Sequence, residues 1–303
     1  MSANPGPMEL IVPYVRGGGS DQRARLAAEY FARHIGRKVS VVNRTGAVTG
    51  HTAIAAASPD GDTIGLITGE IGMMHWHPGL TDLTWRDYTP LSAPFVESAA
   101  VIVGAASPHR TLADFLEACR RGPVRGSGGP HFSVWKFALA GLLQQAGIGA
   151  ARLAWTETLS GEQGLENVMA GRADVAPITL TDARGPLDAR KARALATMED
   201  QRHARFADVP TVREAIGVAW SVAHWRGFVA PAGLPEGLRD HYVEAFRCVE
   251  RDPGFLAAAA AQSFTLRWRH GDAFAAYMAE DDAQFGPVIR ALGADAGSVS
   301  SLL

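Results

Sequence analysis

Three consecutive glycines, Gly17, Gly18 and Gly19, stand between the run Leu10-Ile11-Val12-Pro13-Tyr14 and the pair Ser20-Asp21. Glycines let a chain turn sharply and leave its N–H groups uncovered. A helix starting at Ser20 or Asp21 adds unpaired N–H donors and the positive end of its dipole. The chemistry of such a set is anion capture by backbone donors, with a hydroxyl and a phenol close by in sequence. A second segment, Arg125-Gly126-Ser127-Gly128-Gly129-Pro130-His131-Phe132-Ser133, repeats the plan ahead of a helix from Val134.

Signatures of covalent or nucleotide chemistry are missing. Gly17-Gly18-Gly19-Ser20 is not Gly-x-Gly-x-x-Gly and lacks the Gly-Lys-Ser/Thr of a P-loop. There is no Gly-x-Ser-x-Gly elbow. His75-Trp76-His77 offers two imidazoles, but no third ligand stands nearby in sequence, so no metal is expected. Glu162 and Glu166 are four residues apart, as on a solvated helix face, and Glu97 and Glu157 are isolated. Asp21 also fits a plain helix-capping role, which does not exclude lining a site.

Short apolar runs alternate with helical patterns. Leu10–Val12, Val39–Val42, Thr63–Ile67 and Ala100–Val103 read as strands. Between the first two, Ala24, Ala27, Ala28, Phe31 and Ile35 keep a helical spacing that Gly36 closes. A second helix is expected from Thr52 to Ala57, before Ser58-Pro59-Asp60-Gly61. Further along, helices are predicted at 112–120, 134–146 and 162–170, and strands at 124–126, 152–155, 173–176, 192–197 and 226–230. After Pro235 the chain reads as helix over 236–250, 254–261 and 272–292, with one strand at 265–269. The βαβ order predicts an α/β fold in which each lobe is a mainly parallel sheet flanked by helices. Ligands of open α/β sheets sit at the carboxyl ends of strands, so the two Gly-rich loops are expected to converge on one interdomain cleft.

Bulk properties narrow the class. A chain of 303 residues is long for one core, which predicts two domains. Its net charge of −2 offers no basic field for nucleic acid or anionic lipid. No run of about 18 apolar residues is present to span a membrane. Met1–Pro7 lacks the basic and apolar regions of a secretory signal and reads as a disordered start. Cys119 and Cys248 each fall in an amphipathic pattern and are expected as buried free thiols.

These residues carry a resemblance. Ile11-Val12-Pro13-Tyr14 with Gly17-Gly18-Gly19-Ser20-Asp21, Val42-Asn43-Arg44-x-Gly46-Ala47, Ala57-x-Pro59-Asp60-Gly61-x-Thr63 and Asp87-Tyr88-Thr89-Pro90-Leu91 follow in order. Lys191-x-Arg193-Ala194-Leu195-Ala196, Asp208-Val209-Pro210-Thr211-Val212-x-Glu214-Ala215 and Gly227-x-x-Ala230-Pro231-Ala232-Gly233-x-Pro235 complete the set. The chain resembles the solute receptors of the tripartite tricarboxylate transporter group, the TctC-like periplasmic carboxylate receptors also called Bug receptors, over about residues 9 to 293.

The resemblance implies a two-lobed Venus-flytrap fold, with residues 8–104 plus 222–303 in the first lobe and 105–221 in the second. It implies hinges near Gly104 and Ala223. It also implies a receptor, not an enzyme, that captures a small organic mono- or dicarboxylate, aromatic ones included, and hands it to membrane transporter subunits. A periplasmic monomer without cofactor, metal or nucleic-acid partner is expected. The ligand contacts so implied are Tyr14, Gly18, Gly19, Ser20, Asp21 and Thr68 in the first lobe. Ser127, Gly128, Ser133 and Thr179 are those of the second.

Departures from the family pattern bear on the ligand. Val15-Arg16 replaces a frequent Pro-Pro, and Arg16 is within reach of a second carboxylate. Lys136 stands where the helix start usually has His, and Trp155 opens a stretch usually written Tyr-Lys/Arg-Gly. Ile178-Thr179 replaces an acidic-amide pair, which disfavours an amino acid ligand. Two alternatives remain open on sequence: an α/β enzyme acting on a carboxylated or phosphorylated metabolite, and a carboxylate sensor in a signalling system.

Overall fold

A computed structural model describes residues 6–77, 79–129 and 133–291. The chain begins with β1 (Met8–Val12), α1 (Gly19–Ile35), β2 (Val39–Asn43), α2 (Ala47–Ala55), β3 (Thr63–Thr68) and a short α3 (Ile71–Met74). The long β4 (Tyr88–Gly104) is followed by α4 (Leu112–Arg121), β5 (Val124–Ser127), α5 (Val134–Gln145) and β6 (Leu153–Thr156). Next come α6 (Gly161–Met169), β7 (Ala176–Thr179), α7 (Arg184–Asp188), β8 (Ala192–Thr197) and α8 (Val212–Ile216). β9 (Ala223–Pro231), α9 (Glu236–Arg251), α10 (Pro253–Ala261), β10 (Leu266–His270) and α11 (Asp272–Ala291) complete it.

Two compact units emerge. The first takes the described part of Met1–Val96 together with Trp225–Gly286, and the second takes Glu97–His224 together with the described part of Pro287–Ala294. The chain passes between them within β4, within β9 and within α11. Residues 1–5 of the expected disordered start, and 292–303 of the expected first lobe, lie outside the described residues.

In the first unit, β1 pairs in parallel with both β2 and β3, as the βαβ alternation predicts. β9 joins β3 antiparallel and β10 joins the first half of β4 antiparallel, so the sheet is mixed. Its order is β10, β4, β9, β3, β1, β2. The α1 stripe is buried as the spacing required, and Gly36 ends the helix in the left-handed region at φ 65°. Phe31 stacks on Phe246 of α9 at 4.3 Å, and Phe246 stacks on Phe228 of β9 at 4.9 Å. Removing so buried a ring, as in Phe31→Ala, costs about 3–5 kcal/mol. This packing pins α1 to the sheet and thereby fixes where its N-terminus points.

In the second unit, the latter half of β4 pairs antiparallel with β7 and β8. β5 and β6 pair in parallel, and a bridge between Gly126 and Val175 ties β5 to the β7 segment. The strand expected at 173–176 is found at Ala176–Thr179, running through Pro177, which pairs with Val101. Ala100, Ile102, Leu165, Val168 and Ile178 form the core. α4 starts with a capping box in which Thr111 and Asp114 satisfy each other's backbone N–H. Cys119 and Cys248 are both free thiols; Cys119 is buried and Cys248 half-buried.

Candidate functional site

The first Gly-rich loop is held open by a clamp of side chains. Gly17 takes φ 85°, a conformation that favours glycine, and its N–H donates to Asp21 Oδ2 at 2.8 Å. Arg25 Nε donates to the same oxygen at 2.9 Å. Asn43 Nδ2 donates to Asp21 Oδ1 at 2.8 Å and to the Tyr14 carbonyl at 2.9 Å. Burial opposes ionisation of Asp21, but these donors outweigh it and hold its carboxyl below the usual aspartate range. α2 closes the loop from beneath: a Cβ on Gly50 would lie 2.5 Å from Pro13 Cα, so only glycine fits.

With the loop fixed, α1 begins at Gly19, one residue before the expected start, and Gly18 occupies the N-cap without a side-chain cap. Asp21 therefore sits in the first turn and fastens the loop, in place of the capping role expected for it. The first backbone bond into the helix comes from Gln22 N–H to the Gly18 carbonyl. The N–H groups of Gly19, Ser20 and Asp21 meet no acceptor among the described residues. Donors of this kind, on a 17-residue helix, favour an anion.

Beside these donors lies a polar cluster. Arg226 of β9 is 3% exposed, and its Nε donates to Ser20 Oγ at 3.0 Å. The β3–β9 register sets Arg226 opposite Thr68. The Tyr14 hydroxyl is 2.6 Å from Thr68 Oγ1 and donates to Glu70 Oε2 at 2.8 Å. Glu70 is 6% exposed. Its carboxyl is pushed up to about 7 by burial, against the Tyr14 hydrogen bond and the nearby Arg226 charge. Burial and the Glu70 charge raise the Tyr14 phenol well above its usual value, so it stays a donor. His51, edge-on to Tyr14 at 6.4 Å, is fully buried and lowered to about 4, hence neutral.

The second Gly-rich loop is organised differently. Ser127 Oγ donates to the Thr156 carbonyl at 3.1 Å and accepts from Asn167 Nδ2 at 3.0 Å. Ser133 Oγ donates to the Gly128 carbonyl at 3.2 Å. Gly129 N–H donates to Thr158 Oγ1 at 2.8 Å, and Thr179 Oγ1 accepts from Asp182 N–H at 2.9 Å. Gly128 takes φ 149°. α6 presses on this loop so closely that a Cβ on Gly164 would fall 2.4 Å from the Ser127 carbonyl. Ser133 is the N-cap of α5 and makes no side-chain cap bond. Pro130, His131 and Phe132 lie outside the described residues.

Tyr14, Gly18, Gly19, Ser20, Asp21 and Thr68 thus come together around one helix N-terminus. Ser127, Gly128 and Ser133 come together at another, and Thr179 ends β7 in the same unit. Arg16 is exposed at the tip of the first loop. Lys136 is half-buried in the first turn of α5, and Trp155 is half-buried with its ring against Gly126 and Gly128. His75 pairs with Asp282 at 3.0 Å, and no group of three metal-ligating side chains occurs among the described residues. Sequence reasoning missed Glu70 and Arg226. The available signals were a carboxyl just past the carboxyl end of β3 and a single charge in the apolar run Trp225–Pro231.

The family model described as "Tripartite tricarboxylate transporter family receptor" matches residues 23–294. The UPF0065 protein in the tcbD-tcbE intergenic region of Pseudomonas sp. strain P51 is 29% identical over 245 residues, covering 77% of this chain and 70% of that protein. The crystal structure of a TctC solute-binding protein from Polaromonas is 26% identical with a TM-score of 0.78, covering 95% of this chain and 99% of that one. MatC from Rhodopseudomonas palustris, solved with bound malate, has a TM-score of 0.83 over 94% of this chain and all of its own. Its sequence identity is 20%, so that likeness is one of fold.

Proposed function

Because the chain belongs to the tripartite tricarboxylate transporter receptor family, it is a solute-binding receptor, and we propose that its solute is a small organic mono- or dicarboxylate delivered to a membrane transporter. The observation that carries this reading is the open N-terminus of α1 beside a buried arginine. Gly19, Ser20 and Asp21 offer backbone donors, the Ser20 hydroxyl proton is free to donate because its oxygen accepts from Arg226, and Arg226 adds positive charge. A carboxylate placed there neutralises dipole and cation together. Each charge-assisted hydrogen bond so formed contributes about 1.5–3 kcal/mol.

Thr68 and Tyr14 border the first set of contacts, their protons engaged with each other and with Glu70, and Arg16 takes a second carboxylate where the ligand has one. Ser127, Gly128, Ser133 and Thr179 form a second set; the Ser127 and Ser133 hydroxyls are engaged within the loop, so these act chiefly through backbone donors, while Thr179 only accepts from Asp182 and keeps its proton. No helix among the described residues is long and apolar enough to cross a membrane. A periplasmic site of action follows from the family's role as receptors for a membrane transporter. At the end of β7, Ile178 and Thr179 provide no carboxylate for a ligand ammonium. A thermal-shift screen of mono- and dicarboxylates tests the proposal. Ligand binding raises the melting temperature in proportion to the logarithm of ligand concentration over Kd. A screen in which no carboxylate moves the transition while an amino acid or phosphate ester does would remove it.

A further inference from the structure

Glu70 is unexpected in a site built to attract anions. It stands two residues beyond Thr68, past the carboxyl end of β3, where α/β proteins gather their ligands. Its own N–H reaches Thr68 Oγ1 at 3.3 Å, so its backbone is fixed to the residue that Tyr14 also touches. One carboxyl oxygen, Oε2, accepts from Tyr14. No described donor reaches the other, Oε1. Arg226 lies near enough to act on the Glu70 carboxyl through its charge. Among the described residues Glu70 is bonded by Tyr14, while the Arg226 Nε is spent on Ser20. A buried carboxyl held this way is costly unless a partner arrives to use it.

We infer that Glu70 is a specificity residue of this site: its open oxygen accepts a hydrogen bond from the ligand, so the receptor prefers a carboxylic acid carrying a hydroxyl over the corresponding plain acid. The inference rests on the carboxylate-receptor reading and names the ligand subclass within it. The physical reason is the polarity of the cluster. Gly19, Ser20 and Arg226 are donors and suit a carboxylate, whereas the Tyr14 proton is already given to Glu70, which can only accept when ionised. A ligand hydroxyl beside the bound carboxylate satisfies Glu70. A plain methylene leaves it unpaired and desolvated, which is how sites that read a hydroxyl reject analogues lacking one.

The test is isothermal titration of matched acids: propionate with lactate, succinate with malate, benzoate with 4-hydroxybenzoate. Wild-type protein is expected to bind the hydroxylated member of at least one pair about tenfold or more tightly. Glu70→Met, similar in length but unable to accept, is expected to bring that ratio close to one while still binding the plain acid. Fluorinated analogues on wild-type protein, such as 2-fluoropropionate against lactate, give a second reading without any variant, and should bind like the plain acid. Equal binding of all pairs by wild type, or an unchanged ratio in Glu70→Met, overturns the inference and leaves the carboxylate reading standing. Failure of every acid to bind wild type overturns that reading itself.

Discussion

The two Gly-rich loops look alike in sequence, yet they use their polar atoms in opposite ways. In the first, Asp21, Asn43 and Arg25 bind one another and the loop, leaving the helix N–H groups and the Ser20 proton uncommitted. In the second, Ser127, Ser133 and Thr158 spend their hydroxyls on the loop and its neighbours. A glycine-rich turn before a helix therefore makes an anion site only when other side chains do the holding. Where the hydroxyls hold the loop, what remains is backbone.

Exchanging or removing these supports breaks the contrast by graded amounts. The largest effect is expected from Arg226→Met, which strips the cation from beside Ser20 and leaves the Glu70 carboxyl without its charge partner. Loss of one member of a buried charged set costs about 3–5 kcal/mol, read from urea unfolding, and carboxylate affinity should fall at least 100-fold. Asp21→Ala comes next. It frees the Gly17 N–H and unties Arg25 and Asn43, for roughly 2–3 kcal/mol of stability. The Asp21 carboxyl is depressed in the fold, so its contribution is full above the unfolded value and disappears as pH falls through the folded one.

Glu70→Gln probes the same cluster through pH. The folded carboxyl is raised from 4.5 to about 7, so the native state holds a proton that the unfolded chain has released between those values. Stability from this group is therefore present below about 4.5 and is lost as pH rises through 7. Relative to Glu70→Gln, the wild type should lose on the order of 2–3 kcal/mol between pH 4.5 and pH 8. Melting curves of the two proteins across that range measure it directly. A difference that does not change with pH would mean that Glu70 titrates normally.

Smaller effects separate the loops. Ser127→Ala removes two internal hydrogen bonds and should cost about 1 kcal/mol of stability with affinity changed by no more than about twofold. A large loss of affinity with unchanged stability would erase the contrast. Arg16→Ala should leave stability within about 0.5 kcal/mol, because the residue is exposed. Its expected signature is a salt-sensitive loss of several-fold for dicarboxylates and none for monocarboxylates.

The legible parts of the molecule were the local ones. The α1 stripe, the Gly36 stop and the parallel β1–β3 core follow from spacing within a few residues. The first half of β4 was not legible, because Thr89, Pro90 and Pro94 break the strand pattern that Ala100–Val103 keeps. Pro177 likewise hid β7 and shifted the expected strand toward Val175. The first cradle was visible through its glycines, but not Glu70 or Arg226. Arg226 meets Thr68 through the β3–β9 register, a pairing of residues more than 150 positions apart, and Glu70 meets Tyr14 beyond the parallel β1–β3 pair; no local pattern encodes either.

The central claim is that a ligand carboxylate docks on the α1 N-terminus. A crystal structure of the protein with the carboxylate that gives the largest thermal shift tests it most directly. The account predicts carboxylate oxygens within hydrogen-bonding distance of the Gly19 and Ser20 N–H groups and the Ser20 hydroxyl. A ligand whose carboxylate makes none of these contacts would contradict it.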